Sequence, residues 1–400
     1  MEIFDIIHGP IKICQDAKRI IDSPEYQRLR NIKQLGCVSY VFPCATHTRF
    51  EHSIGVYHLA KKYMDILNNN YFTKIEYKLI SIAALIHDLG HGPFSHLFDD
   101  FVGGKNHEYR SIELFKFMNT KYNLGYSEDN INFIKDVIEP HNIELKEKKY
   151  CYQIVSNKNG IDVDRMDYIM RDTKMTGLNY GVEYERIMNN SIIHNSEIYF
   201  SNKAQVPIED FLRIRFILHT EIYNHQTVRS IEYMIKEIFE IIEPELNIKD
   251  NINTNNWEEF ILYTDNLLDT INIYDTCIHI QNAKKILNDI KTRNIYKLIG
   301  EIIHNKDFKI DVQLNDIIID HSKVKYYSEE KPKYISDKKG EKLCENIMVE
   351  KKPNIDKDPI NNEDKINDYF VSDVKDNNLK IFAKDKNNQE AINLYKSIRL

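Results

Sequence analysis

Up to about residue 305 the chain repeats apolar stripes at helical spacing, broken by polar turns; beyond it the period shortens to that of strands. The run Leu79–Ile86 carries no charge and is too short and too Ala-rich for a membrane span, so it predicts a buried helix. Asp22-Ser23-Pro24-Glu25 offers a cap, a first-turn proline and a carboxylate at the positive end of a helix dipole. It predicts a helix to Leu35, stopped by Gly36, with Tyr26, Leu29 and Ile32 as its apolar stripe. Thr46–Ser53 opens a helix to Leu67, on which His52 precedes the face Val56, Leu59 and Tyr63. Further helices are predicted from Asn106 through Met118, over 128–139 before Pro140, and through Asp164–Asp172. Phe211–Phe239 reads as one long helix, followed by Trp257–Leu268 and by Ile280–Ile290 running on to about Ile303.

Strand signals are fewer. Residues 1–20 read as an extended start with a turn at Ile6–Pro10. Ser191–Ile193 and Ile198–Phe200 flank an Asn-Ser turn, the pattern of a hairpin. Lys309–Leu314, Ile317–Ile319, Lys323–Tyr327, Tyr369–Val371 and Leu379–Ala383 read as strands, and a short helix ends at Leu400. Between them, 329–365 is rich in Lys, Asp, Asn and Pro and predicts a long mobile loop. The expectation is a mainly α fold: a helical body over 1–305 with a small hairpin, and a C-terminal α+β lobe over 306–400.

Composition narrows the class. The chain has 400 residues, enough for a large core or two domains. A net charge of −7 argues against wholesale coating of nucleic acid and leaves only a local basic groove for that role. Six cysteines without a CxxC pair exclude a zinc ribbon and suit a reducing, intracellular compartment, cytoplasm or nucleus. Met1-Glu2-Ile3-Phe4-Asp5 lacks the apolar stretch of a signal peptide, and no 18-residue apolar run occurs, so a soluble protein with no membrane partner is expected.

Candidate chemistry starts where the apolar helix ends. His87-Asp88-Leu89-Gly90-His91-Gly92-Pro93-Phe94-Ser95-His96 places polar groups, glycines and a proline directly after a sealed segment. A lone His-Asp there would be an ordinary helix end. Four such groups point to function, because burying them without one is costly. His52, His87, Asp88 and Asp164 come from three separate helices and combine imidazoles with carboxylates, a donor set for iron, manganese, zinc or another divalent ion. Asp164, Tyr168 and Asp172 stack at i, i+4 and i+8 with Arg171 at their edge, and Arg215, His219 and Tyr223 repeat that spacing. Taken alone, each row is an ordinary polar helix face.

The pattern H…HD…D resembles the HD-domain metal-dependent phosphohydrolase superfamily. Gln27–Gly36, Arg49–Ser53, His87–His96, Ile154-Val155-Ser156-Asn157 and Gly160–Asp164 resemble, more narrowly, the deoxynucleoside triphosphate triphosphohydrolases that carry SAM and HD domains. The similarity covers about residues 1–303 well and the C-terminal lobe loosely, and this chain has no room for the SAM domain. The resemblance implies cleavage of a deoxynucleoside triphosphate to deoxynucleoside and inorganic triphosphate. A metal on His52, His87, Asp88 and Asp164 would polarise the α-phosphate and lower the pKa of a bound water. His96 matches the catalytic histidine, with Asp99 and His107 beside it and His91 in the same layer. Arg49, Arg165 and Arg215, with Tyr168, would line the triphosphate path, and Mg could bridge the phosphates. Arg165 stands where the animal enzyme has lysine, keeping the charge and offering a fork. Gln34, Leu35, Asp172 and Tyr223 match the sugar site, where Leu35 and Tyr223 would crowd a 2′-hydroxyl. Asp22, Gln27 and Arg30 match a site for an activating guanine nucleotide that joins a homodimer or tetramer. A second nucleotide site keeps little beyond Lys203, between Ser201 and Pro207. Two alternatives stand beside this reading: an HD enzyme for nucleoside monophosphates or cyclic dinucleotides, and a nucleic-acid-binding or scaffold protein that retained the fold.

Overall fold

The computed structural model describes residues 1–178, 180–273, 277–304, 317–325, 330–335 and 375–399. A hairpin of β1 (Glu2–Asp5) and β2 (Gly9–Lys12), pairing Glu2 with Lys12, leads into α1 (Gln15–Ile21). This helix falls within the stretch read as extended; Cys14 caps it, its thiol accepting from the Ala17 N–H. α2 (Pro24–Gln27) is capped by Ser23, whose hydroxyl accepts from Tyr26 N–H, with Pro24 in its first turn. Here the structure departs from the helix expected to reach Leu35. Residues 28–31 tighten into a 3₁₀ turn, and Ile32 is extended at φ −122°, ψ 109°. Gln34 N–H then donates to His47 O at 3.0 Å, and Arg49 N–H to Ile32 O at 2.9 Å. This strand-like crossing of 32–34 over 47–49 outcompetes helix propensity because it satisfies both backbones while burying Ile32.

α3 (Arg49–Ile66) starts in a capping box of Thr48 and Glu51 and packs on α4 (Lys74–Ile86). All of Leu79–Ile86 is buried, as its uncharged pattern requires. α5 (His96–Val102), α6 (His107–Lys121), α7 (Glu128–Ile138) and α8 (Lys149–Tyr152) follow, then α9 (Val163–Thr176), which packs across α3. α10 (Tyr184–Asn189) precedes the expected hairpin, β3 (Ser191–His194) with β4 (Glu197–Ser201) around Asn195-Ser196. The long helix expected over 211–239 is broken. α11 (Gln205–Ile217) passes into a π-helical turn at Leu218–Tyr223, and α12 (Gln226–Leu246) starts afresh, His225 accepting from Thr227 N–H. α13 (Ile248–Asn253) is followed by α14 (Trp257–Phe260) and α15 (Leu267–Ile273), so the helix expected over 257–268 is two pieces with Asp265 in the joint. α16 (Ile278–Lys291) packs on α12 and stops well short of Ile303.

The residues after it form β5 (Lys297–His304), which pairs antiparallel with β8 (Lys375–Ala383); β8 also pairs with β6 (Ile317–Lys325). β7 (Tyr334–Ile335) runs parallel to β4, and α17 (Gln389–Arg399) packs on the three-stranded sheet. The expected strands Lys309–Leu314 and Tyr369–Val371, and most of the expected loop 329–365, lie outside the described residues. The sheet is tied to the body by Arg229, which holds Asp320 at 2.9 and 3.0 Å with two nitrogens. One apolar core runs through the helical body from Ile11 to Tyr296, while Ile381, Ala383 and Ala391 form a small separate one. No described helix is long and apolar enough to cross a membrane. Cys14, Cys37, Cys44, Cys151 and Cys277 are free thiols.

Candidate metal centre

α3, the end of α4 and the start of α9 meet so that His52, His87, Asp88 and Asp164 converge. His52 Nε2 lies 3.1 Å from Asp164 Oδ1 and 3.5 Å from Asp88 Oδ2. His87 Nε2 lies 3.4 Å from Asp88 Oδ1 and 3.5 Å from Asp164 Oδ1. Both imidazole nitrogens are buried and make no hydrogen bond among the described residues. Burying two such acceptors beside two carboxylates is costly unless a cation joins them, so the donor set fits a divalent metal. Their second nitrogens are committed elsewhere: His87 Nδ1 donates to Ala84 O at 2.8 Å, and His52 Nδ1 to Asp167 Oδ2 at 2.8 Å. Each bond fixes the tautomer whose Nε2 lone pair faces the centre. Burial opposes charge on His52, but Asp164, Asp167 and Asp88 outweigh it and push its pKa up to about 10. A proton and a divalent ion therefore compete for the same nitrogen, and metal binding would release that proton.

A second layer lies beside this centre. His91 is fully buried, stacked on His107 with ring centroids 3.8 Å apart, and its Nε2 is 3.3 Å from Asp88 Oδ1. Burial, then Arg49 and His107, hold its pKa well below the ordinary value, so it is neutral. His107 Nδ1 donates to Asp99 Oδ2 at 2.7 Å. Burial works against the Asp99 carboxylate, yet the bond from His107, the neighbouring His96 and His91 rings and the paired Arg110 hold it well below its usual range. The His96 side chain is 74% exposed and sits 3.7 Å from Asp99 Oδ2. It is thus an exposed imidazole at the rim, backed by a fixed anion.

Asp88, Asp164, His91, His96 and His107 line a cavity of about 230 Å³ shared with Gln34, Leu35, Arg49, Tyr168, Asp172, His219 and Tyr223. Tyr223 donates its hydroxyl to Asp172 at 2.5 Å, and His47 Nε2 donates to the same carboxylate at 2.7 Å. The π-helical turn places His219 against Tyr223, ring centroids 4.9 Å apart. Burial, then Arg215, drive the His219 pKa down to about 3. Arg49 is buried and bridges the centre: it pairs with Asp88, donates to Ser95 Oγ at 2.9 Å and reaches Gln34 O at 3.3 Å. Arg165 is not among the lining residues; it pairs with Asp162 one turn back. Arg215 acts on Tyr168 and His219 by its charge. Arg171, expected at the edge of the Asp164–Asp172 row, instead turns away and binds Asp167 at 2.8 and 2.9 Å.

The third predicted group also comes together. Asp22, Gln27 and Arg30 line a separate cavity of about 510 Å³ with the first hairpin, His47 and Phe50. Arg30 Nε donates to Gln27 Oε1 at 2.8 Å, and its guanidinium lies 3.6 Å from the Phe50 ring centroid. Asp22 pairs with Lys18 at 2.6 Å on the surface.

Several residues that hold the site lie outside the candidate ligand and substrate set. Arg28 is buried and donates to the carbonyls of His91 (2.7 Å), Leu89 (3.2 Å) and Tyr263 (3.3 Å), fixing the turn after Asp88. Arg110 holds Gly90 O at 2.8 Å from the other side. Asp265 accepts from Phe94 N–H at 2.7 Å and Lys33 N–H at 3.0 Å, where Phe94 and Ser95 have left-handed φ values of 58° and 60°. The glycines of the turn serve packing as much as ligand approach: a Cβ on Gly90 would lie 2.3 Å from His107 O and Ser111 N on α6. Periodicity marks a face and not its partner, so none of these was legible beforehand; an arginine within the apolar-striped stretch 26–32 was the one available signal for Arg28.

The profile of the HD domain family matches residues 49–172, the span that holds all four candidate ligands. A Dictyostelium discoideum protein named deoxynucleoside triphosphate triphosphohydrolase SAMHD1 homolog is 37% identical over 334 residues, covering 80% of this chain and 64% of that protein. The human protein of that name, SAMHD1, is 34% identical over 353 residues, covering 77% of this chain and 56% of its own length. A putative HD domain-containing protein of Acanthamoeba polyphaga mimivirus is 38% identical over 344 residues, 76% of this chain and 74% of that protein. The chain thus spans 56–64% of the length of these two triphosphohydrolases. With the profile match and the mimivirus protein covered over most of its length, the chain belongs to the HD domain family and within it is similar to the SAMHD1 proteins.

Proposed function

We propose that this chain is a metal-dependent triphosphohydrolase that splits deoxynucleoside triphosphates into deoxynucleoside and inorganic triphosphate. The observation that carries the reading is the convergence of His52, His87, Asp88 and Asp164, of which Asp88 and Asp164 line the same cavity as His96, Leu35 and Tyr223. His52, His87, Asp88 and Asp164 would hold a divalent ion, which would supply Lewis-acid polarisation of a phosphate and lower the pKa of a water; iron, manganese and zinc all suit the donors. His96 Nε2 delivers a proton to the leaving 5′-oxygen, while Asp99, through Nδ1, stabilises the imidazolium that donates it. His107 and neutral His91 keep Asp99 and the ring stack in place. Arg49, Tyr168 and Arg215 meet the triphosphate charge; Arg165 joins them by exchanging Asp162 for phosphate, a rotation its 25% exposed side chain permits. Gln34, Leu35, Asp172 and Tyr223 receive the sugar, and the Tyr223–Asp172 bond fixes a wall against the 2′ position.

The relatives' printed activity supports this substrate class over monophosphates or cyclic dinucleotides. The cavity at Asp22, Gln27 and Arg30 is the place for an activating guanine nucleotide: a carboxylate accepts from guanine N1–H and the 2-amino group, and the Gln27–Arg30 pair presents an acceptor and a cation. Assembly into a dimer or tetramer, as the resemblance implies, accompanies that binding, and the setting is intracellular. The test is incubation of the metal-loaded protein with dGTP and, separately, GTP, followed by product separation. Triphosphate and deoxyguanosine from dGTP, with GTP turned over far more slowly, are expected. Pyrophosphate, monophosphate or no product from dGTP would overturn the reading, and equal rates on both nucleotides would remove the 2′ wall from it.

A further inference from the structure

The first hairpin contributes two polar groups to the interior: His8 ends on Asp167, the partner of candidate ligand His52, and Asp5 ends on Arg171, which holds Asp167. Asp167, on α9, is fully buried and has all its acceptor positions filled. Its Oδ2 accepts from His52 Nδ1 and from Arg171 Nε, each at 2.8 Å. Its Oδ1 accepts from Arg171 Nη2 at 2.9 Å and from His8 Nε2 at 2.6 Å. Arg171 is closed off in turn by Asp5 Oδ2, 2.8 Å from its Nη1. Asp5 Oδ1 folds the hairpin turn around this contact by accepting from Ile7 N–H and His8 N–H at 2.8 and 2.9 Å. The side chains of Asp5 and His8 are 3% and 1% exposed, so these are interior bonds and not surface pairs.

A second observation shows that the packing makes room for this cluster. Gly55 lies one turn beyond His52 in the middle of α3, where glycine costs helix stability relative to alanine. A Cβ there would stand 2.0 Å from Asp167 Oδ1 and 2.6 Å from Arg171 Nη2. The helix gives up its best residue at the point where the carboxylate and guanidinium must pass.

We infer that the N-terminal hairpin is a working part of the metal centre: Asp5 and His8 are positioning residues that hold Asp167 and Arg171 so that His52 keeps its Nε2 directed at Asp88 and Asp164. Without Asp5, Arg171 loses its outer anchor and is free to swing off Asp167. Without His8, Asp167 loses one of its four donors. In either case the carboxylate that fixes the His52 tautomer and ring angle can rotate. Groups that orient a ligand histidine in this way typically change metal affinity by about 10–100-fold. The inference rests on the metal reading above and concerns residues more than 40 positions away from any ligand in sequence, on an element outside the span matched by the HD profile.

The experiment is Mn²⁺ titration of the chelator-stripped full chain, read by metal-dependent spectroscopy and metal content, alongside thermal unfolding of the stripped protein. The variants are Asp5→Asn, Asp5→Ala, His8→Leu and His8→Gln, with Ile11→Ala as the comparison. Ile11 is a fully buried residue with no place in the cluster, and its truncation costs core packing while removing none of the cluster's polar groups. Expected are a Mn²⁺ Kd raised about 10-fold or more in Asp5→Ala and His8→Leu, recovery in His8→Gln, whose amide can donate to Asp167, and an unchanged Kd in Ile11→Ala despite its lower melting temperature. Affinities that follow melting temperature across all variants, Ile11→Ala included, would make the cluster a structural tie only and overturn the inference. So would an unchanged Kd in every folded variant. Should the Asp5 variants fail to fold, the His8 pair decides alone. A wild-type chain that binds no Mn²⁺, Fe²⁺ or Zn²⁺ would sink the metal reading itself, a result distinct from either.

Discussion

Arg28→Ala should be among the most damaging changes outside the ligand set. The side chain is buried, and its guanidinium serves the carbonyls of His91, Leu89 and Tyr263 at 2.7, 3.2 and 3.3 Å. It also lies 4.4 Å from the Phe260 ring centroid. Hydrogen bonds from a charged donor contribute about 1.5–3 kcal/mol each, and a stranded buried carbonyl costs about 1–3 kcal/mol. The 3.2 and 3.3 Å bonds belong at the low end, and water entering the space left behind would recover part of the loss. The expected destabilisation is about 3–5 kcal/mol, a large share of the roughly 5–15 kcal/mol that holds a typical domain together. Arg28→Lys keeps the charge and loses the fork, so it reaches one carbonyl and should recover less than half. Equilibrium urea unfolding followed by circular dichroism measures the free energies. Mn²⁺ content of the folded fraction reads the site, because two of the three carbonyls belong to the turn between Asp88 and His96. A loss below about 1 kcal/mol for Arg28→Ala, or full recovery by lysine, would refute the account of this side chain as a three-way clamp.

His96→Ala should leave Mn²⁺ affinity intact, since the side chain is exposed and touches no candidate ligand, yet lower kcat by about 10²–10⁴-fold; a change confined to KM would make it a binding residue. Burial drives the Asp265 carboxyl up to about 6, against the pull of the Phe94 and Lys33 N–H groups. The folded chain then keeps this proton between about pH 4 and 6 while the unfolded chain has lost it, so this group's contribution falls as pH rises through that window. Asp265→Asn mimics the protonated form, and its stability relative to wild type should therefore rise from pH 4 to 6; a difference independent of pH would refute the assignment. If guanine nucleotide acts at Asp22, Gln27 and Arg30, GTP should raise the rate on dCTP and the mass in solution of wild type but not of Arg30→Ala. An identical response in both would place activation elsewhere.

Some of this protein is fixed by sequence alone. Uncharged Leu79–Ile86 had to be buried, because seven apolar side chains broken only by Ser81 leave no face for water. The end of that helix therefore carries His87 and Asp88 into the interior, and the spacing Asp164–Tyr168–Asp172 puts three polar groups on one face of α9. The residue types there suit a divalent metal. What periodicity does not supply is the partner of each face. That Asp167 binds His8, 159 residues earlier, and that Asp265 pins Phe94, 171 residues earlier, depend on contacts between elements and not on any local preference. The same cause explains the misread elements. Residues 28–34 have helical propensity and an apolar stripe, but pairing Gln34 with His47 satisfies their backbone better and turns Gln34 and Leu35 toward the cavity. The helix expected through Ile303 gives way to a strand because β8, more than 70 residues later, offers Lys297–His304 an antiparallel ladder broken only by a register shift between Leu298 and Gly300. Sequence decided which apolar faces were buried and which residues could do chemistry; tertiary structure decided which of them meet, because a buried polar or charged group is tolerated only where another element brings its partner.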